Sequence, residues 1–441
     1  MKAYICMLTI LFLWVGLCSQ DNINLQDAIL QARENNLSLK SIKNELDAAR
    51  WEMYNAKTQF LPKLNLNETA VFLDKQPGTT FMGQFFPISF QNYVVSSLQA
   101  EQILFAGGRI YNAYRLSNIQ YDTMQNNYQK TLQDTDAKVI EYYYVILKTL
   151  SALDILNNHK ALCEELLHTT QIMYQNGIGL QTDVMQWELR IIEIENQILL
   201  TENGLNSLKE LWAMTLGLQD IYHIPLPEYV EISGVLQEIR DFSLLDNTTK
   251  SAQMDEYLET VKNTNFDIVN LQNAETSLNH LNRLAKADFL PTLFASYNYE
   301  IENDDKLDFQ GDSSWQIVLN LSVPLFHSGR NYTYYKSQYY RVRSQRFNLQ
   351  EANRGLEIAA KQAWYDFDSA VNTVIQSEKY SDLTERTLDI TRNLYSQGRI
   401  TNVALSDAQN SYLVAQIQFL NSVYDYIIIE NKLQNFKGGE R

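Results

Sequence analysis

Two uninterrupted runs of sequence constrain the fold most. Residues 109–176 contain neither proline nor glycine, and residues 330–397 contain only Gly355. Each run is 68 residues long. As an α-helix it would span roughly 100 Å at about 1.5 Å per residue. Helices this long exceed those of ordinary globular domains and need a packing partner along their length. The sequence therefore predicts long helices packed side by side.

Apolar residues recur along these helices at alternating intervals of four and three. The recurring positions are Val139, Tyr143, Ile146 and Leu150; Leu180, Val184, Trp187, Ile191, Ile194 and Ile198; Ala360, Trp364, Phe367, Val371 and Val374; and Leu405, Ala408, Tyr412, Ala415 and Phe419. This spacing is typical of helices that pack as coiled coils. The chain is therefore predicted to be mainly α-helical, with long antiparallel coiled-coil helices.

The chain also contains an internal duplication. Three pairs of segments match in the same order: 34–64 with 263–293, 104–114 with 325–335, and 173–184 with 394–405. The first pair ends in Phe-Leu-Pro-x-Leu, and proline is expected to stop the helix that precedes it. The last pair places a glycine turn between two long helices, where glycine is free to adopt positive φ. Two structural repeats are therefore predicted.

Each repeat is predicted to have the same layout. The first, 21–230, holds a helix, strands at about 63–75 and 92–104, a long helix 106–176, a hairpin tip 177–181 and a helix 182–216. The second, 252–441, holds a helix, strands at about 292–302 and 314–326, a long helix 330–397, a tip 398–401 and a helix 402–436. Residues 217–251, with two prolines, form the segment between them.

The predicted strands alternate between apolar and polar residues. Trp315, Ile317 and Leu319 share one face, and Gln316 and Asn320 lie on the other. About ten such residues are enough for a tilted strand to cross a bilayer. The loops between the strands are 73–91 and 302–314. The second loop is acidic, and we expect a solvated tip there because its spacing does not fit a calcium loop.

Four strands are too few to close a barrel. An open edge within a bilayer leaves backbone groups unpaired at a cost of several kcal/mol each. The chain is therefore expected to share its barrel with copies of itself. Two copies would give eight strands and three would give twelve, and composition does not choose between them.

The amino terminus resembles a secretory signal peptide. Residues 1–20 hold Lys2, an apolar stretch and small residues at a candidate cleavage site. The stretch is too short to favour a membrane-anchor helix, and the large Leu17 disfavours lipidation of Cys18. Cys163 would then be the one cysteine left in the exported chain, so stability must come from helix packing or oligomerisation. The net charge of −16 disfavours nucleic acid as a partner.

Motifs for enzymatic chemistry are weak. Gly177 and Gly179 follow a helix rather than a strand, so the dinucleotide and phosphate-loop interpretations fail. His159, Cys163 and His168 have near-helical spacing, but such residues on a packed helix more often serve the core or the surface than a metal. We expect no catalytic residues, no metal and no cofactor.

The ordered set of features resembles the TolC-like outer-membrane efflux family across essentially the whole exported chain. The set comprises the signal peptide, the duplicated Phe-Leu-Pro and LF(A/H)(G/S)GR motifs, and the glycine tips. The resemblance implies a homotrimer in the outer membrane, with four transmembrane strands per chain in a shared 12-stranded β-barrel. It also implies an α-barrel of twelve helices across the periplasm, with 217–251 as an equatorial belt. Outer-membrane lipid, a periplasmic adaptor (membrane fusion) protein and an inner-membrane pump are the implied partners.

The resemblance also implies functional positions at the tips. The adaptor-docking positions would be Gly177, Ile178, Gly179 and Leu180 in the first tip, and Gly398, Arg399 and Ile400 in the second. The alternative is an ordinary helix-hairpin turn, although exposed Ile178 and Leu180 favour docking. Asp407 and Asp183 would form a periplasmic gate or selectivity filter, while Ala404 occupies a position that is acidic in the family. Alternatively, these carboxylates are solvated groups near helix starts.

The predicted function is a passive exit duct for a tripartite efflux pump or a type I secretion system. The rival interpretation is a periplasmic coiled-coil scaffold or an adhesin without a pore. The alternating strands distinguish the two, because a scaffold has no need of them.

Overall fold

The computed structural model describes residues 22–219, 223–303 and 312–438. The predicted signal peptide and most of the acidic loop lie outside these residues. The chain divides into two compact units. The first takes its described residues from Met1–Lys40, Thr131–Val261 and Ala359–Arg441, and the second consists of Ser41–Lys130 and Lys262–Ile358. Each unit draws on both predicted repeats, so the duplication does not coincide with the division into units.

Helices dominate the described residues. They are α1 Leu25–Asn35, α2 Leu37–Thr58, α3 Arg109–Gln175, α4 Gln181–Leu216, α5 Ser233–Ser243, α6 Asn247–Thr264, α7 Phe266–Ala287, α8 Arg330–Ser396 and α9 Asn402–Lys437. The strands are β1 Asn22–Ile23, β2 Lys63–Phe72, β3 Gly78–Phe81, β4 Gln84–Pro87, β5 Asn92–Ala106, β6 Leu226–Pro227, β7 Thr292–Asn303 and β8 Asp312–Ser322. No described helix combines the length and apolarity needed to cross a membrane.

The long helices begin at paired turns of matching geometry. Gly107 and Gly108 have φ of 61° and 81°, so α3 begins at Arg109 rather than at residue 106. Before α8, Ser328 and Gly329 have φ of 50° and 78°. This left-handed backbone cannot belong to a right-handed helix, which fixes where each helix begins.

A four-stranded antiparallel sheet lies in the second unit, in the order β2-β5-β7-β8. Its register aligns an apolar row, Leu66, Leu98, Tyr299 and Trp315. Beside it lies a polar row, Asn65, Gln99, Asn298 and Gln316. The sheet therefore has one predominantly apolar face and one polar face, with β2 and β8 at its edges.

Several predicted boundaries need correction. Strand β8 spans Asp312–Ser322 instead of 314–326, because Pro324 has no N–H to extend the ladder. Strand β2 ends at Phe72 rather than at residue 75. The loop that follows contains the hairpin β3–β4, which the sequence pattern did not predict. Helix α6 begins at Asn247, inside the segment assigned to the equatorial belt.

The first unit is held together by two apolar clusters. One joins α1, α3, α4 and α9 around Val139, Tyr143, Ile146, Trp212 and Tyr424. The other lies closer in sequence to the two glycine turns and contains Cys163, Trp187, Ile194, Leu388 and Leu405. Most of these residues belong to the predicted seams, and their burial fixes how the helices around the turns pack.

Candidate functional site

The first turn, tip 1 (residues 177–180), ends helix α3 with a Schellman motif. Gly177 has φ +72° and donates its N–H to the Tyr174 carbonyl at 2.9 Å. Ile178 donates to the Met173 carbonyl at 3.0 Å. This pair of bonds satisfies carbonyls that the end of the helix would otherwise leave unpaired.

The second turn, tip 2 (residues 398–401), repeats this geometry after α8. Gly398 has φ +70° and donates to the Tyr395 carbonyl at 2.8 Å. Arg399 donates to the Leu394 carbonyl at 3.0 Å. The two tips therefore share one backbone motif, in the same register relative to their glycines.

The side chains of the two tips differ. Ile178 is 81% exposed and Leu180 is 67% exposed, although both are aliphatic. In tip 2 Arg399 is exposed and Ile400 is half-buried. Exposed aliphatic groups on a tight turn form a small apolar knob, which is the kind of surface that a protein partner buries.

The starts of the next helices differ as well. Leu180 occupies the N-cap of α4 and provides no side-chain hydrogen bond. Thr401 caps α9, where its hydroxyl accepts a hydrogen bond from the Ala404 N–H at 3.4 Å. Tip 2 therefore has a capped exit, whereas tip 1 exposes an apolar residue at the same position.

Asn402, the first residue of α9, joins the two tips. Its side-chain oxygen accepts from the Trp187 indole N–H at 2.8 Å. Its amide nitrogen donates to Gln186 Oε1 at 3.0 Å and to the Asp183 carbonyl at 3.3 Å. Asn402 is 4% exposed and Trp187 is fully buried. This buried, fully paired amide fixes the start of α9 against the start of α4.

A second polar contact lies further along the same helices. His159 Nδ1 is 2.7 Å from Gln409 Nε2, and His159 Nε2 is 2.7 Å from Gln416 Oε1. A neutral ring protonated on Nε2 satisfies both contacts, donating to Gln416 and accepting from Gln409. Burial lowers the pKa of His159, against the opposing effect of the Gln416 hydrogen bond.

Asn402, Gln409 and Gln416 lie seven residues apart on α9. Each places a polar group in an otherwise apolar seam and joins α9 to a helix of the first half of the chain. Buried polar residues at heptad positions specify register but lower the stability of a coiled coil. The three polar residues therefore fix the register of the helices next to the tips, at some cost to the stability of the seam.

The three candidate metal ligands identified in the sequence lie in different environments. Cys163 is buried, and burial raises the pKa of its thiol to about 11. His168 is exposed, whereas His159 is bound to the two glutamines. Across the part of the chain that the structure describes, no three His, Cys, Asp or Glu side chains come together in a way that could hold a metal ion.

The two candidate gate aspartates occupy different positions near the tips. Asp183 lies in the first turn of α4, is half-buried, and its backbone carbonyl accepts from Asn402. Asp407 lies in the second turn of α9 and is exposed. The structure therefore brings Asp183 to the Asn402 contact and leaves the side chain of Asp407 exposed.

Comparison with known proteins identifies the family. The sequence profile described as "Outer membrane efflux protein" matches residues 28–209 and 258–439. The chain belongs to this family. The two matched segments are of equal length and contain the segments that are paired in the sequence. The protein is an outer-membrane protein with a periplasmic extension, and it serves as an exit duct for efflux or secretion.

Curated relatives match nearly the whole length of the chain in sequence. "Outer membrane protein TolC" of Salmonella enteritidis is 22% identical over 422 residues, covering 92% of this chain and 80% of the relative. "Alkaline protease secretion protein AprF" of Pseudomonas aeruginosa is 21% identical over 428 residues, covering 94% and 84%. Both names describe outer-membrane or secretion proteins, and neither describes an enzyme.

Solved structures share the fold. The CusC structure matches with a TM-score of 0.80 at 16% identity, covering 94% of this chain and 92% of that one. The outer-membrane channel CmeC of Campylobacter jejuni matches with a TM-score of 0.78 at 16% identity, covering 94% and 85%. The fold of the chain is therefore the family's combination of long helices for an α-barrel with strands for a β-barrel.

Proposed function

We propose that the chain assembles as a homotrimer and forms a passive duct through which an inner-membrane pump exports its cargo. The observation that carries this proposal is the four-stranded sheet with its two faces and two edges. Edge strands β2 and β8 must find partners within a bilayer, and copies of the same chain supply them. Three copies give twelve strands, which leave a lumen lined by the polar face.

The duct carries out no chemistry of its own in this proposal. The relatives are channels, and energy for transport comes from the inner-membrane partner. A coiled-coil scaffold without a pore does not explain the sheet, because the row of Leu66, Leu98, Tyr299 and Trp315 suits lipid and the polar row suits water. The segment 217–251 would serve as the equatorial belt of the assembly.

Tip 1 is the proposed docking element for a periplasmic adaptor. Ile178 and Leu180 supply apolar area, and Gly177 and Gly179 permit close approach of a partner backbone. Tip 2, with Gly398, Arg399 and Ile400, contributes the basic group and the capped turn. Burying two aliphatic side chains would supply about 3–6 kcal/mol of binding free energy before other costs are counted.

Asp407 and Asp183 are the proposed gate residues. Three symmetry-related copies of an exposed carboxylate form an acidic ring, which attracts cations and repels anions. Asp183 acts beside Asn402, so its position depends on the contact between the tips.

Assembly in the outer-membrane fraction tests the proposal. Leu319→Lys places a cation on the apolar face of β8, at a cost of about 2–4 kcal/mol per subunit near the bilayer midplane. Asn320→Lys is the matched control on the polar face of the same strand. We expect Leu319→Lys to abolish heat-modifiable trimers in the outer-membrane fraction and Asn320→Lys to retain them. Equal assembly of both variants would refute the proposed orientation of the sheet.

A further inference from the structure

The hairpin β3–β4 is an apolar structure built on a tight turn. Met82 and Gly83 have φ of 49° and 82°, so both central residues of the two-residue turn are left-handed. This is the type I′ geometry that matches the twist of a hairpin. Register pairs Phe81 with Gln84 and Gly78 with Pro87.

The hairpin exposes an unusual amount of apolar surface. Its exposed apolar side chains are Phe81, Met82, Phe85 and Phe86, and the exposed Ile88 and Phe90 follow directly after it. Met82, at the turn, is 90% exposed. No charged residue occurs between residues 76 and 91. Apolar surface this continuous on an ordered element indicates a site that another surface covers.

The hairpin lies at the end of the sheet away from the helices. It connects the end of β2 to the start of β5, whereas α2 precedes β2 and α3 follows β5. If the helices are periplasmic, as the proposed function has it, the hairpin stands at the extracellular mouth. The inference therefore rests on the proposed function.

Hydrogen bonds at its root direct the hairpin towards the polar face. Ser89 Oγ donates to Glu302 Oε1 at 2.9 Å, and Glu302 shares a face of β7 with Asn298. The Gln76 amide donates to the Ser89 carbonyl at 3.1 Å. The Gln91 amide donates to the Leu73 and Asp74 carbonyls at 3.2 and 3.1 Å. The bond between Ser89 and Glu302 thus holds the root over the polar face, which lines the lumen in the proposed function.

The hairpin is long enough to reach the symmetry axis of a trimer from the rim of the barrel. Four residues of strand extend about 13 Å at about 3.3 Å per residue. Twelve strands spaced about 4.8 Å apart and tilted by about 40° enclose a backbone radius of about 12 Å. A hairpin that leans inward from the rim therefore reaches the centre of the mouth.

Charge distinguishes this loop from its counterpart in the second repeat. Residues 302–314 contain five acidic residues and one lysine. Three such loops would repel one another at an axis, whereas three uncharged, Phe-rich hairpins would attract by burying their side chains. The same hairpin of the other two subunits is also uncharged and Phe-rich. It is present in the same complex and is the surface that would cover each hairpin.

We propose that the three β3–β4 hairpins of the trimer pack against one another and form an apolar plug at the extracellular mouth. The plug narrows the outer opening independently of the periplasmic tips. Cargo must part the three hairpins in order to leave. Insertion of the hairpin into the outer leaflet of the membrane is the alternative that the experiment must separate.

Cysteine cross-linking tests the plug directly. Met82→Cys is placed in the full chain and compared with Lys75→Cys, an exposed position near the root of the same loop. Both variants retain the buried Cys163, which serves as a common background. A short bifunctional maleimide should join two subunits of the Met82→Cys trimer and give a covalent dimer on denaturing gels. Lys75→Cys should give at least tenfold less.

Conductance provides the second measurement. Phe81→Ser combined with Phe85→Ser should raise single-channel conductance at least twofold, whereas the matched Phe81→Leu and Phe85→Leu pair should leave it near the wild-type level. If Met82→Cys trimers conduct but give no covalent dimer, or if the serine pair leaves conductance unchanged, the plug is refuted. Quenching of a fluorophore on Met82→Cys by brominated lipid would identify the outer leaflet as the occupant. Failure of wild-type protein to form trimers or pores would instead refute the proposed function.

Discussion

Tip 1 and tip 2 share a backbone but not a surface. Both end a long helix with the same two hydrogen bonds and a left-handed glycine. Tip 1 carries exposed Ile178 and Leu180, whereas tip 2 carries Arg399 and a threonine cap and is followed by the buried Asn402. A duplicated element has kept its turn while its side chains diverged. The turn is the same in both tips, and in the proposed function tip 1 supplies the apolar part of the docking surface while tip 2 supplies its basic group.

The largest expected effect concerns docking. Ile178→Ser with Leu180→Ser removes the apolar knob and should weaken adaptor binding at least a hundredfold, since about 3 kcal/mol of burial is lost. Binding to immobilised adaptor measures the change. Ile400→Ser with Val403→Ser makes the matched change at tip 2 and the start of α9, and it should weaken binding less because Ile400 is half-buried. If both pairs weaken binding equally, the proposal that tip 1 supplies most of the apolar docking surface is wrong.

The next effect concerns the contact between the tips. Asn402→Leu leaves the Trp187 N–H and the Gln186 side chain without their buried partner, at about 1–3 kcal/mol. We expect faster hydrogen exchange at the start of α9 and higher single-channel conductance. Asn410→Leu makes the same substitution at an exposed position of α9. If the two variants give the same exchange rates and the same conductance, the Asn402 contact does not control the opening of the duct.

Substitution of the two tip glycines tests whether the shared turn contributes equally to the stability of both tips. Gly177→Ala and Gly398→Ala place a side chain on left-handed backbone, with no atom within 4 Å of the new Cβ. Strain alone remains, so each change should cost about 1–2 kcal/mol, and the two costs should agree. Local hydrogen exchange at the two helix ends measures both. Unequal costs would show that the shared motif does not have the same energetic role in the two tips.

The smallest expected effect concerns the aspartates. Asp407→Asn removes an exposed carboxylate from each subunit and should lower cation selectivity, with an energy below about 1 kcal/mol because solvent screens the charge. Asp183→Asn, beside Asn402, should change selectivity less. Reversal potentials across a salt gradient measure both. A selectivity unchanged in Asp407→Asn would exclude it from the filter.

Local patterns predicted much of the fold. Three signals depend only on the local backbone conformation and could be read from the sequence. They are the glycine at each tip, the long proline-free runs and the period-two alternation. Asn402 could not be predicted as a contact residue, because Trp187 lies 215 residues away and an asparagine after a helix cap has an ordinary local explanation. The hairpin β3–β4 was missed because its turn uses Met82-Gly83, whereas Asn-Gly is the familiar signal.

Single-channel recording tests the central proposal most directly, namely that the chain forms a passive duct, together with the expectation that the Asn402 contact limits its opening. Purified mature protein is reconstituted in a planar bilayer and compared with Asn402→Leu. We predict discrete conductance steps for both proteins, with larger or longer-lived steps in the variant. The absence of steps from both, with intact trimers present in the bilayer, would contradict the account.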